Sequence, residues 1–497
     1  IGDSTPLVID INTGSFKDLA GNDLVAAIGL EVTEIPDTIP PTVDSSATLT
    51  YGDGLLRLTM SETIDITPLS LLNMSTIFLA NATGDKILSL AGATIPSIDT
   101  QSLTIKLTEL QRVTAIALSG TSGGDGHAMT LDLDAATIVD LSSNVNVELI
   151  GHPIIETSDT IKPRIINVSF NFSDGVVVLD TSETIDMTPG SKVDLQYVAV
   201  TNEASISSTL ISLSGASVVE VDGLSITLHA DEDSRANAYY TTNLVGGDGT
   251  TSFLRSDPGF LVDIAQNTLN TTTFHMIKEI PDTSIPKLLT AELNLSTGLL
   301  QLAFSETIDV TPVQSLVRTS INISDSQHSL KTFSLNDTAI DSKDSTILKI
   351  VLPELLRNAV QRFAGTPGGD GSTSVLDVQL NSIFDLAQNA VKDQVVTIAE
   401  TADTVPPTFE SGLINYTNGE IELRFSETVS SIGNNIDLSK MFLSDYRPVI
   451  YELAGIQFQR YVDGSDNAIS ANQPSAQPGF NAYVLDWSAI KYGSYDG

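Results

Sequence analysis

The chain has 497 residues, with 62 acidic side chains against 24 basic ones and a formal net charge of −38. Such a surface repels nucleic acid and anionic membranes, and it favours cations, basic partners or a salty medium that screens self-repulsion. There is no cysteine, which excludes disulfide scaffolds, thiolate zinc sites and thiol catalysis, and no apolar run is long enough to span a bilayer.

The first 36 residues predict two strands, Leu7–Ile11 and Leu24–Val32, around the motif Asp18-Leu19-Ala20-Gly21-Asn22. Seven strands then follow in residues 37–158: Thr42–Tyr51, an alternating run through Leu56, Leu58 and Met60, Thr76–Ala80, Ile87–Leu90, Leu103–Leu107, Met129–Leu133 and Val147–Ile155. Alternation with a period of two marks strands buried on one face. A short helical turn is expected after the fifth strand, at Glu109 to Arg112 and again at Glu354 to Val360.

This pattern recurs. Ser61-Glu62-Thr63-Ile64-Asp65 returns at Ser182, at Ser305 and, shortened, at Ser426, so the glutamates lie 121, 123 and 121 residues apart. Gly124-Asp125-Gly126 returns around Asp248 and Asp370. The Asp18–Asn22 motif returns at Asp140–Asn144, Asp263–Asn267 and Asp385–Asn389, and Asp37-Thr38 returns at Asp159, Asp282 and Asp403 with a proline close behind. Four motifs in one register define a tandem array. The units are a partial one at 1–36 (sixth and seventh strands), repeats at 37–158, 159–281 and 282–402, and a partial, divergent one at 403–497 (first to fifth strands, ending near Tyr483–Trp487). Seven short strands per unit predict an all-β chain of Ig-like sandwiches.

A strand ending in Phe-Ser-Glu-Thr (Phe304–Thr307), a late Asp-Leu-Ala-Gly-Asn turn and an Asp-Thr-x-Pro-Pro junction resemble the bacterial-type Ig-like repeats of adhesins, surface-layer proteins and cell-surface filaments. The resemblance covers essentially the whole chain. It implies an extracellular or cell-surface location and a spacer, adhesive or filament-forming role; it specifies architecture better than function.

In head-to-tail sandwiches the fifth–sixth loop of one unit faces the linker and the second–third and sixth–seventh loops of the next. Asp125, Asp159, Glu183, Asp263 and Asn267 are thereby expected at one junction, and Asp248, Asp282, Glu306, Asp385 and Asn389 at the following one. Asp37, Glu62, Asp140 and Asn144 form the corresponding set in the first repeat. Asp370, Asp403 and Glu427 form it in the last unit, with Asp18 and Asn22 as completing groups from another chain. The glutamate shares parity with the inward residues before it, so its carboxylate needs a cation or hydrogen-bond donors. Ca²⁺ takes such oxygen ligands. The alternative is purely structural: turns built by Asp, Asn and Gly, with the inward Glu capping amides or pairing with an arginine.

Nine Asn-x-Ser/Thr sequons occur, at Asn73, Asn81, Asn167, Asn171, Asn270, Asn294, Asn322, Asn336 and Asn415. Asn171, Asn294 and Asn415 keep one register, 12 residues before their glutamate, so N-glycosylation is expected there first. Asn167 and Asn171 share the outward face, opposite Val168, Phe170 and Phe172.

Catalysis has no motif behind it: the five histidines form no His-x-x-x-His pair, and neither a nucleophile elbow nor a phosphate loop is present. Trp487 is read as core rather than as a sugar platform. No enzyme activity is expected. The leading expectation is a structural subunit of an extracellular filament or stalk, a glycoprotein homopolymer. The first 36 residues would lend their two strands to the last unit of the next molecule. The alternatives are an excerpt of a longer covalent array, the extender of a cell-surface adhesin, or an accessory region of a secreted enzyme.

Overall fold

The computed structural model describes residues 5–96, 98–205, 209–326, 332–430, 435–444, 450–452, 458–460 and 483–486; Trp487 lies outside them. The chain groups into two compact units, Ile1–Thr242 with Thr250–Ile280, and Asn243–Gly249 with Pro281–Gly497.

In the first unit, β1 (Val8–Ile11) and β2 (Ala27–Glu31) form an isolated antiparallel hairpin. The next domain follows as β3 (Val43–Thr50), β4 (Leu55–Ile64), β5 (Ile77–Asn81), β6 (Gly84–Ser89), β7 (Thr100–Lys106), α1 (Glu109–Ala117), β8 (Met129–Leu133) and β9 (Leu149–Thr157). Its strands pair in the order β6-β5-β8-β9-β3-β4-β7. The long β9 joins the two layers: its start pairs antiparallel with β8, and its end runs parallel to β3.

Period-two burial drives this. Leu56 and Leu58 are fully buried and Met60 nearly so, facing Ile105 and Leu103 of β7. Each such side chain contributes on the order of 1.5–3 kcal/mol when it leaves water. The helix starts where Thr108 and Gln111 form a reciprocal capping box.

The second domain of this unit repeats the plan. Ile165–Asn171 pairs antiparallel with Val176–Ile185 and parallel with Thr273–Ile280, and a helix spans Glu232–Tyr239. In the second unit, Leu288–Asn294, Leu299–Ile308 and Gln394–Thr401 keep the same relations, with a helix at Glu354–Gln361. The final domain pairs Phe409–Asn415 with Glu420–Phe425, and that strand with Tyr483–Asp486. Among the described residues Phe409–Asn415 has no parallel neighbour. The chain is a tandem of Ig-like sandwiches.

Candidate functional site

Two motifs far apart in sequence meet at the N-terminal end of each repeat. The end of β4 bridges the loop between β8 and β9 through Ile64 and Asp140, and Ile185–Asp263 and Ile308–Asp385 do the same in the following domains. The loop itself is a tight turn. Asp140 Oδ1 accepts the Ser142 and Asn144 amides at 2.8 Å each, while Asn144 Nδ2 donates to Asp140 Oδ2 at 2.8 Å. Ser143, Gln266 and Gln388 take a left-handed φ of 71°, 70° and 65° at the turn's fourth position. That conformation is costly for L-residues with a side chain. Asn144 Nδ2 also reaches the carbonyl of Asp37 at 3.2 Å, as Asn267 reaches Asp159 at 3.3 Å and Asn389 reaches Asp282 at 3.2 Å.

Three carboxylate clusters result: Asp37–Glu62–Asp140, Asp159–Glu183–Asp263 and Asp282–Glu306–Asp385, each with ligand atoms within 4.8 Å of one another. None of them contains Asp125, Asp248 or Asp370, although the fifth–sixth loop was expected to contribute those groups. Asp125 instead accepts from the His127 amide and from Asn81 Nδ2, both at 2.9 Å, and Asp370 caps the Ser372 amide at 3.0 Å. What this loop presents to the next domain is Gly123. A Cβ there would fall 2.1 Å from the Ile264 carbonyl oxygen, and Ala265 packs into the core of the domain before it.

At the junction within the first unit, the second cluster receives an arginine from α1. Arg112 holds Glu109 in a two-pronged pair at 2.7 Å on each side. It then extends Nη1 to Asp159 at 2.7 Å and Nη2 to Glu183 at 3.4 Å. Asp159's side chain is 0% exposed, and the arginine's is 7%. Glu109 Oε1 accepts the Thr184 amide and hydroxyl, which ties the helix to the Ser-Glu-Thr motif a second time.

Burial, and then Asp263 and Asp159, push the Glu183 carboxyl up to about 8 despite Arg112. Burial also raises Asp263, against the hydrogen bonds from Asn267. Glu183 Oε1 is buried without a partner. Both shifts have one cause: a single guanidinium does not offset the burial and mutual repulsion of this many carboxylates. At the junction where Ca²⁺ was an expectation, a guanidinium already pairs with Asp159 and Glu183. Asp37, Glu62 and Asp140 are the residues that could hold a cation without one. They gather carboxylate oxygens with no basic side chain of the described residues among them, and such hard oxygens suit Ca²⁺.

The second unit holds a further version. Arg357 pairs with Glu354 at 2.6 Å and donates Nη1 to the carbonyls of Leu295 and Ser296 at 2.9 and 2.7 Å. It also reaches Glu427 at 3.4 Å, but Asp403 only at 3.9 Å. Asp403's side chain is 28% exposed, and Glu427 Oε1 is buried without a partner. Arg235 stands at the same helix position, clasped by Glu232 and bonded to the Phe172 carbonyl at 2.7 Å.

Two recurrent groups escaped the sequence reading. One is Glu-x-x-Arg, at Glu109/Arg112, Glu232/Arg235 and Glu354/Arg357: an arginine returning in register in a chain with only 24 basic residues is itself a signal. The other is the glutamate at the end of the seventh strand. Glu156 accepts from Tyr51 Oη at 2.7 Å, Glu279 from the Ser252 amide at 2.8 Å and Glu400 from the Gly365 amide at 2.8 Å.

The sequon asparagines fall into two groups. Asn171, Asn294 and Asn415 use Oδ1 to cap the turn after the first strand, accepting from Ser173, Ser296 and Thr417, and among the described residues no bond from their Nδ2 constrains a glycan. Asn73, Asn167, Asn270 and Asn336 are exposed. Asn81 and Asn322 are buried, and Asn81 Nδ2 is committed to Leu118 O and Asp125.

No protein-family model matches the chain, and no curated protein sequence is significantly similar to it. Among solved structures, it is similar to the N-terminal four Ig domains of Dscam1 isoform 6.44, at 12% identity over 79% of this chain and 96% of that one, TM-score 0.15. It is also similar to the titin domains Z1Z2 in complex with telethonin, at 12% identity over 49% of this chain and 98% of that one, TM-score 0.12. Fibronectin(III)-like modules of Clostridium thermocellum CbhA give 11% identity over 49% and 96%, TM-score 0.12. Scores of this size add no argument; the Ig-like assignment rests on the strand pairing. No helix among the described residues is long and apolar enough to cross a membrane.

Proposed function

We propose that the chain is a non-catalytic structural subunit of an extracellular filament or stalk. In this reading its Ig-like domains run head to tail, and copies join when β1–β2 of one completes the last domain of another. One observation carries this: the hairpin and the last domain each expose what the intact domains bury. Leu7, Ile9, Phe16 and Val32 are 59%, 48%, 65% and 38% exposed, whereas Met129, Leu131, Ile138 and Ile154, which occupy the same positions, are at 1%, 0%, 1% and 6%. Tyr416 is 87% exposed where Tyr51, Phe172 and Leu295 are at 0%, 0% and 1%.

The hairpin already has the geometry of a sixth–seventh strand pair. Asp10 accepts the Gly29 amide and Glu34 accepts the Leu7 amide, as Asp132 does for Gly151 and Glu156 for Met129. Among the described residues Phe409–Asn415 leaves one edge open to a parallel strand, and an open edge invites strand addition. Because donor and acceptor are different surfaces, the contact is heterologous and propagates without closing. The acidic surface and the sequons accord with an extracellular setting, where glycans on Asn171, Asn294 and Asn415 would decorate the rod.

Size-exclusion chromatography with light scattering, and negative-stain microscopy, test this on the full chain and on a variant lacking residues 1–36. Linear oligomers from the full chain, lost in the variant and blocked by a peptide spanning residues 5–36, are expected. Separate rods from the full chain would instead favour an adhesin extender and overturn strand donation.

A further inference from the structure

We infer that Asp18 and Asn22 of one copy close the Arg357 socket of the copy whose last domain receives the hairpin, making a polar lock that sets the register of assembly. This rests on strand donation. The closed socket has four parts: an arginine from the preceding domain, an aspartate in the linker, the glutamate of Ser-Glu-Thr, and the aspartate of the sixth–seventh loop. Around Arg357 the first three are present as Arg357, Asp403 and Glu427, and no sixth–seventh loop stands beside them among the described residues. Three features mark the gap. The Arg357–Asp403 separation is 3.9 Å where Arg112–Asp159 is 2.7 Å. Asp403's side chain is 28% exposed where Asp159's is 0%. Glu427, itself 8% exposed, has a buried Oε1 without a partner among the described residues.

The missing part is preformed on the hairpin. Asp18 Oδ1 accepts the Ala20 and Asn22 amides at 2.9 Å each, and Asn22 Nδ2 donates to Asp18 Oδ2 at 2.9 Å. These are the bonds of the Asp140–Asn144 and Asp263–Asn267 turns. Unlike Asn144, Asn267 and Asn389, Asn22 donates to no linker carbonyl among the described residues; its Nδ2 bonds Asp18 alone. When β1–β2 docks as the other hairpins do, Asp18 arrives beside Glu427 and Asn22 Nδ2 meets the Asp403 carbonyl. Apolar docking alone tolerates slippage. A carboxylate that must meet one buried arginine does not, since a shifted register leaves both charges desolvated and unpaired. In a chain of net charge −38, the lock also supplies a local cation for an otherwise repulsive encounter.

The absence of cysteine makes the test clean. Chains carrying N22C and chains carrying D403C, mixed and oxidised, should give a disulfide-linked dimer, while each alone and the mixture of N22C with D65C should not. D18N keeps an acceptor for the turn but removes the charge; R357K keeps the charge but loses the fork. Each should weaken self-association at least about tenfold, and the double variant no more than the worse single one. Assembly that survives D18N and R357K unchanged, with no N22C–D403C cross-link, overturns the lock and leaves strand donation standing. A wild-type chain that never assembles overturns both.

Discussion

Arg112 and Arg357 occupy the same helix position in two domains, and the sockets they enter differ by one loop. Around Arg112 the loop Asp263–Asn267 is in place, Asp159 is fully buried and sits at 2.7 Å, and Ala265 seals the neighbouring core. Around Arg357 no such loop stands among the described residues. Asp403 lies at 3.9 Å with its side chain 28% exposed, and the guanidinium donates to the Leu295 and Ser296 carbonyls at 2.9 and 2.7 Å, where Arg112 reaches the equivalent Tyr51 carbonyl at 3.4 Å. The linker aspartate and the Ser-Glu-Thr glutamate thus gather near the arginine without the loop, whereas a short, dry contact goes with the loop being there. The sixth–seventh loop is the part that turns a loose acidic pocket into a rigid joint.

Removing the arginines tests this most directly. R112A strands Asp159, Glu183 and Asp263 in a buried site without their cation, and should cost the junction about 3–5 kcal/mol. R357A, whose partner Asp403 is already part-hydrated, should cost less, about 1–3 kcal/mol. Native-state hydrogen exchange on the intact chain resolves the two junctions separately. Equal losses would mean that the loop contributes nothing to the pairing.

A glycine pair gives a smaller contrast. Gly123 and Gly368 both have positive φ, 87° and 95°, but a Cβ on Gly123 meets the Ile264 carbonyl at 2.1 Å, whereas one on Gly368 meets only the tip of Gln361 at 3.4 Å. G123A should loosen the joint by about 1–3 kcal/mol through overpacking against backbone. G368A should cost about 1 kcal/mol, from backbone strain alone. Protection of the Ile264 and Ala265 amides reports the first.

The pH dependence follows from Glu183. Its carboxyl titrates near 8 in the folded chain, above the ordinary 4.5, because burial and then Asp263 and Asp159 disfavour its charge. The folded state therefore keeps a proton that the unfolded state has lost. The stabilisation is complete below about pH 4.5, shrinks as pH rises, and is gone once pH passes about 8. E183Q should flatten that decline, which exchange at the 112–183 junction between pH 5 and 9 would show. An unchanged slope in E183Q would mean that another group carries the titration.

The architecture was legible because it rests on period two. Leu56, Leu58 and Met60 alternate in sequence and face inward in the sheet, and Glu62 inherits their direction, which is why an inward carboxylate could be foreseen. The turn motifs were legible for a similar reason, since an Asp and an Asn four residues apart close the same loop in every copy. Pairing of the inward glutamate with an arginine was one of the structural alternatives, but the arginine itself was not legible: nothing local to Glu109–Arg112 says that its guanidinium leaves its own domain. The fifth–sixth loop reaches the next domain as its place in a head-to-tail array implies, but through Gly123; Asp125 is taken up by Asn81 and the His127 amide.

Calcium provides the smallest effect and the sharpest separation between sockets. Asp37, Glu62 and Asp140 repeat the geometry of the second cluster, but no arginine helix precedes them among the described residues. Burial and then Asp140 and Asp37 raise the Glu62 carboxyl, which marks a shortage of positive charge. Asp140 goes the other way: burial opposes its charge, but the Asn144 side chain and amide hold it below the usual range, so a ligand that wants carboxylate oxygens finds at least one already ionised. With three carboxylate residues, affinity should be weak; at a tenfold excess over Kd, binding stabilises by about 1.4 kcal/mol. Millimolar Ca²⁺ should therefore slow exchange at residues 61–65 and 139–145 slightly, and EDTA should reverse it. Residues 183–187 and 262–268, where Arg112 already serves as the cation, should not respond. A response there of equal size would show that the guanidinium does not exclude the metal, and the distinction between the two sockets would fail.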